Sequence, residues 1–102
     1  RIRLDKLEYC EIIGRALLFH MANGQVLESA GSLDKLTADL ESYGNFLRPH
    51  RSFLVNMDYI QSISYRGLQM ACLAEIPIPH GRFSEIKERY LEYVFSRKQV
   101  FL

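Results

Sequence analysis

The chain has 102 residues, 48% of them hydrophobic and 25% charged, with a formal net charge of +1. That length supports one hydrophobic core and one domain, and the composition excludes a chain too polar to fold. The near-neutral balance excludes a uniformly basic coat, so any claim on a polyanion must come from local clustering.

The two cysteines, Cys10 and Cys72, lie far apart inside apolar stretches. Their spacing makes neither a disulfide framework nor a metal motif, and both are expected as reduced core residues of a cytoplasmic protein. The opening RIRLDKLEYC lacks the apolar run of a signal peptide, and no stretch reaches the roughly 18 apolar residues of a membrane-spanning helix. A soluble domain without a membrane segment is expected. The absence of a starting methionine suggests a fragment of a longer protein.

In chain order, LEYCEII (residues 7 to 13) reads as a strand ended by Gly14 and Arg15. ALLFHMANGQVLESA holds Asn23-Gly24 between two apolar runs, which predicts a two-residue hairpin turn. GSLDKLTADLESYG has Leu33, Leu36 and Leu40 at helical spacing, Ser32 as N-cap and Gly44 at the C-terminus, so a short helix on a sheet is predicted. SFLVNMDYIQSISY is rich in β-branched and aromatic residues and ends in a turn at Arg66-Gly67. LQMACL, a turn near Ala74-Glu75 and IPI continue an antiparallel meander. RFSEIKERYLEYVF then closes the domain as an amphipathic helix with Phe83, Ile86, Tyr90 and Val94 on one face and a Glu85–Arg89 pair on another. The tail SRKQVFL fits no element.

His20, His50 and His80 are the candidate bases for catalysis, and none stands in a nucleophile motif. No glycine-rich phosphate loop, HExxH or CxxC is present, so neither enzymatic activity nor a cofactor is expected. His20 lies mid-strand, where one satisfied ring nitrogen is the ordinary state. The most concentrated polar feature is NFLRPHRSFLVN, which places Arg48, His50 and Arg51 within four positions before a strand-like run. Such charge can simply protect a sheet edge from aggregation. Pro49, however, restricts the segment, Ser52 follows as a hydroxyl donor for a phosphate, and Arg15, His80 and Arg82 add donors at other turns. Loop-borne arginines suit a duplex, where guanidinium reads the guanine edge and hydroxyls anchor phosphates. A β-rich protein-interaction or dimerisation module using a basic edge on an acidic partner is the alternative.

The run FLRPHRSFLVNMDYIQSI resembles the signature of the LytTR (LytR/AlgR-type) DNA-binding domain, F-x-R-x-H-[RN]-S-[FY]-[LIV]-V-N followed by an isoleucine-containing strand. Phe46, Arg48, His50, Arg51, Ser52, Phe53, Val55, Asn56 and Ile60 occupy it in order. The similarity continues upstream through FHMANGQVLESAGSLDKLTADL and downstream to IPIPHGRFSEIKERY, covering about Leu4 to Tyr93. It implies a mainly β, elongated antiparallel fold in three small sheets, with a short helix between strands and a C-terminal helix. Residues 1–102 would form one such domain, the output end of a bacterial two-component response regulator behind a receiver domain. Its loops would enter successive major grooves of double-stranded DNA, and dimers would bind paired direct repeats to regulate transcription.

By matching positions, the resemblance puts DNA contact on Arg15 in the first loop and on Arg51 in the second, with Ser52 on a phosphate. Arg48 is left between phosphate contact and pairing with an acidic neighbour such as Asp58 or Glu41. His50 is left between DNA contact and holding the loop by a hydrogen bond, and Asn56 is expected to cap the turn before the next strand. The third loop departs from the pattern: Pro79-His80 stands where the family tends to have Ser-Arg, and Gly81 takes the place of a DNA-reading arginine. Either Arg82 and His80 take over base contact or this loop contributes little, and partial substitution by Arg82 is the favoured expectation.

Overall fold

The computed structural model describes residues 2–98. Eight strands and two helices follow in the order β1 (Leu7–Ile13), β2 (Ala16–Met21), β3 (Val26–Ala30), α1 (Leu33–Leu40), β4 (Phe46–His50), β5 (Phe53–Asn56), β6 (Ile60–Ser64), β7 (Gly67–Met70), β8 (Glu75–Pro77) and α2 (Phe83–Lys98). The strands form two antiparallel sheets, one of five in the order β3-β2-β1-β5-β4 and one of three in the order β6-β7-β8. The fold is mainly β as expected, with two sheets in place of three. The cause is β5, which pairs with both β1 and β4 and so merges the first two hairpins into one sheet.

Side chains alternate across a strand, and β5 shows what that does. Leu54 faces a core under α1 with Leu7, Cys10, Leu17, Phe19, Met21, Leu33 and Leu40. Its neighbour Val55 faces a second core with Leu47, Ile60, Leu68, Met70, Ile76, Ile78 and Ile86. The five-stranded sheet is therefore packed on both faces. Ile86 anchors α2 in the second core at 1% exposure, and burying a side chain of that size stabilises by about 1.5–3 kcal/mol. The molecule measures 41 × 31 × 25 Å.

α1 forms as its sequence predicts. The Ser32 hydroxyl accepts from the Lys35 amide at 3.2 Å, and after a 3-10 turn at Glu41–Tyr43 the chain leaves through Gly44 at φ 81°. The hairpin turns differ from expectation. Between β2 and β3 the Met21 amide donates to Gln25 O at 2.9 Å and the Gly24 amide to Met21 O at 3.0 Å, enclosing three residues. Gly24 alone takes positive φ (88°) and Asn23 does not, the arrangement of a three-residue loop rather than of the expected two-residue one. The turn between β6 and β7 is Tyr65-Arg66, because Ser64 pairs with Gly67. Gly67 is a strand residue, where an added Cβ would meet Ile76 O at 2.5 Å. The β7–β8 turn lies at Ala71-Cys72-Leu73, earlier than Ala74-Glu75, so Cys72 is exposed at a hairpin tip while Cys10 is in the core.

The run from Phe53 to Ser64 is broken by a 3-10 turn at Met57–Tyr59. Asn56 caps it, its Oδ1 accepting from the Asp58 amide at 2.9 Å. Along α2 the expected Glu85–Arg89 pair is absent. Glu85 takes Arg82 at 2.8 Å, and Arg89 donates to Gly44 O at 2.8 Å, tying the helix to the loop after α1. Tyr93 and Arg97 both reach the Asp58 carboxylate. The first three residues of the unexplained tail, Ser96 to Lys98, continue α2, and the remaining four lie outside the described residues.

Candidate nucleic-acid interface

Gly14 and Arg15 form the two-residue turn between β1 and β2, closed by the Ile13–Ala16 pair. Gly14 supplies the positive φ (61°) at the first turn position, which leaves Arg15 exposed at the tip. Arg51 and Ser52 form the turn between β4 and β5, closed by the His50–Phe53 pair. The Ile12 amide donates to Ser52 O at 3.0 Å, which holds this turn beside the end of β1. Arg15, Arg48 and Arg51 consequently line one open groove of about 540 Å³ with Ile12, Gly31 and Asp34. The N-terminus of α1 forms its far wall, where unsatisfied amides add positive potential.

The basic residues have different surroundings. Arg51 is exposed, and among the described residues its guanidinium has no hydrogen-bond or ion-pair partner; the same holds for Arg15. Arg48 is engaged at every nitrogen. Its Nε donates to His50 O at 3.1 Å, Nη2 to Arg51 O at 2.5 Å, and Nη1 to Thr37 Oγ1 at 2.9 Å with Asp34 Oδ1 at 3.0 Å. The acidic partner is Asp34 rather than Asp58 or Glu41. Pro49, expected to stiffen a loop, is a buried residue of β4 at a register irregularity between Leu47 and His50, a place where a strand tolerates a missing donor.

His50 holds its turn as one of the two sequence readings required. Its Nδ1 accepts from the Ser52 amide at 3.0 Å, so the neutral ring carries its proton on Nε2, and the ring packs edge-on against Phe53 at 5.5 Å. His20 is elsewhere, bound through Nε2 to Glu11 Oε2 at 2.6 Å and stacked on Tyr9 at 4.1 Å.

The third turn, Pro79 to Arg82, closes through Arg82 N to Pro79 O at 3.1 Å, with Gly81 at φ 88°. His80 is exposed there. Arg82 turns back into the protein: its Nη1 donates to Pro49 O at 3.0 Å and Arg48 O at 3.3 Å, and its Nε to Glu85 Oε1 at 2.8 Å. That hydrogen bond holds the Glu85 carboxyl below its usual range. Sequence reasoning missed Gly31 in the groove and Thr37 as a partner of Arg48, and took Asp34 for part of a solvated helix face. The only signal was an acidic residue at the start of α1, which equally suits the helix dipole.

A packed β scaffold that aims unpaired guanidiniums from hairpin turns at one open groove is the arrangement of a loop-based binder of phosphate-rich polymers. Comparison with known proteins agrees. The family model described as the LytTr DNA-binding domain matches residues 1–91. The chain is 39% identical over 74 residues to the sensory transduction protein LytT of Oceanobacillus iheyensis, covering 68% of this chain and 30% of that protein's length. A solved LytTr DNA-binding domain from Bacillus cereus superimposes with a TM-score of 0.71 at 21% identity, over 88% of this chain and 84% of that one. The chain belongs to the LytTR family of DNA-binding domains, and its class of function is DNA binding in transcription regulation.

Proposed function

We propose that the chain is the C-terminal output domain of a cytoplasmic response regulator and binds double-stranded DNA through its turns, without catalysis or cofactor. The observation that carries this reading is the groove on which Arg15 and Arg51 converge with unpaired guanidiniums. An exposed arginine with no internal partner keeps its paired donors available for a guanine edge or a phosphate. Ser52 stands beside Arg51 for a phosphate oxygen, and the His50 imidazole sets the turn while its Nε2 remains toward solvent. His80 extends the basic line through the third turn. The chain spans 30% of the length of the LytT relative, which leaves room for a receiver domain upstream. Two copies on paired direct repeats, each presenting its turns to successive major grooves, is the assembly this reading expects.

The test is substitution of Arg51. After a bound duplex is selected from a random library, Arg51→Ala is expected to lose about 1–3 kcal/mol and to flatten discrimination at one base position. An equal loss on every sequence would make Arg51 a phosphate anchor. No saturable binding of the wild-type chain to any duplex would refute the function itself.

A further inference from the structure

Four consecutive carbonyls, those of Arg48, Pro49, His50 and Arg51, each accept a hydrogen bond from a guanidinium. Arg82 takes the first two and Arg48 the last two. The next donor along the chain, the Ser52 amide, is taken by His50 Nδ1. Each arginine is also held by a carboxylate on a different helix, Arg48 through Nη1 by Asp34 of α1 and Arg82 through Nε by Glu85 of α2. A continuous chain of charge-assisted bonds therefore runs from α2 through the Arg51 turn to α1.

We infer that Arg82 and Arg48 are positioning residues that set the backbone of the Arg51 turn before DNA arrives, and that the third turn acts on recognition through the second. This rests on the reading of Arg51 as a DNA-contacting residue. Two physical arguments favour it. A hairpin tip ordinarily leaves its carbonyls to water and samples several conformations, and fixing it beforehand removes that ordering cost from binding. A planar guanidinium presents donors on separate nitrogens in a fixed plane, so it holds adjacent carbonyls and a carboxylate in one set geometry, whereas an ammonium is a compact point charge with rotatable donors. Gly81 leaves its position without a side chain to offer DNA, and Arg82 faces the β4 backbone.

The experiment compares wild-type protein with Arg82→Lys and Glu85→Gln, each also in an Arg51→Ala background. Amide exchange at Ser52 is measured without DNA, and affinity and base preference are measured on the selected duplex. Arg82→Lys keeps the charge and breaks the fork. It is expected to speed Ser52 exchange and to weaken binding on the order of tenfold, with discrimination lost at the base read by Arg51. In the Arg51→Ala background the same change is expected to cost almost nothing, because there is no reader left to position. Glu85→Gln, which leaves the turn sequence and core intact, is expected to act in the same direction more weakly.

Wild-type affinity in Arg82→Lys would mean that the Arg82 guanidinium does not position the turn and overturn the inference. So would independent, multiplying losses in the double variant, or unchanged Ser52 exchange. If the wild-type chain bound no duplex, the function would fall, and the DNA-free exchange would decide the clamp by itself.

Discussion

Leu73 carries the one positive φ (75°) outside glycine among the described residues, and it does so at a hairpin that repeats another. Met70 and Ala74 close the β7–β8 turn as Met21 and Gln25 close the β2–β3 turn, and Leu73 stands where Gly24 stands. The left-handed conformation costs a branched residue about 1–2 kcal/mol, partly offset because glycine loses more backbone freedom, about 0.5–1 kcal/mol, on folding. With its side chain 70% exposed, Leu73 recovers little through packing. Leu73→Gly is therefore expected to raise stability by about 0.5–1 kcal/mol, read as a higher urea midpoint at unchanged slope. Gly24→Ala should lose a similar amount from φ alone, since its new Cβ would meet nothing within 4 Å. Buried titratable groups set a second expectation. Burial, reinforced by the charge of Glu11, pushes the Cys10 thiol from 9.0 up to about 12, and the Tyr9 phenol from 10.0 up to about 12. Above pH 9 the unfolded chain then binds fewer protons than the folded one, so stability falls as pH rises from about 9 to about 12 and is fully present below. Equilibrium unfolding across that range should show the decline, and in Cys10→Ala the decline should be shallower, with the contributions of Tyr9 and Cys72 remaining.

At the scale of elements, Asn56 fixes the 3-10 turn that leads out of the five-stranded sheet. It ends β5 fully buried, accepts from Asn45 Nδ2 at 3.1 Å and the Asp58 amide at 2.9 Å, and donates to Leu7 O at 3.0 Å. Asn56→Ala leaves all three partners short of a bond in a dry site, so a loss of about 2–4 kcal/mol is expected. Chemical denaturation measures it, and a loss under 1 kcal/mol would mean that water enters and replaces the amide. The capping role of Asn56 was legible in sequence, as were the bounds of β1 and the N-cap of α1, because caps and periodicity are local properties, whereas Gly44 ends the 3-10 turn that follows α1 and not α1 itself. The Gly14-Arg15 turn was placed correctly, whereas the turns read at Arg66-Gly67 and Ala74-Glu75 lie one to three residues earlier. Asn23-Gly24 signals a tight turn, yet only the inter-strand pairing decides whether two or three residues close it. Glu85 illustrates the same limit. The rule for pairs four apart considers one helix alone, while the carbonyl of Gly44, 45 residues away, wins Arg89 and leaves Glu85 to Arg82.

For the whole molecule, the sequence identified which residues are basic but not which remain free. Arg48, Arg51 and Arg82 are chemically alike in the chain. Only the fold, by bringing Asp34 to Arg48 and the β4 carbonyls to Arg82, leaves Arg51 and Arg15 as the arginines of the groove that have no partner among the described residues. With a net charge of only +1, binding gains little from long-range attraction and must come from these local contacts. Each phosphate neutralised contributes a slope of roughly −0.9 in log affinity against log salt, so a duplex with two repeats bound by two copies should show about twice the slope of a single-repeat duplex. Repeat spacing follows from size. One turn of DNA is about 34–36 Å, which accommodates the 31 and 25 Å extents of the domain but not its 41 Å length. Repeats one turn apart then require the long axis to lie across the duplex, and repeats two turns apart allow either orientation. In both cases, inserting about five base pairs between repeats rotates the second copy to the opposite face of the duplex, and inserting about ten restores it. If two copies cooperate on one face, titrations of these duplexes should alternate between separate and joint binding, with the doubled salt slope only in the joint cases. Joint binding at every spacing would mean that the copies associate through flexible segments rather than through a fixed arrangement on DNA.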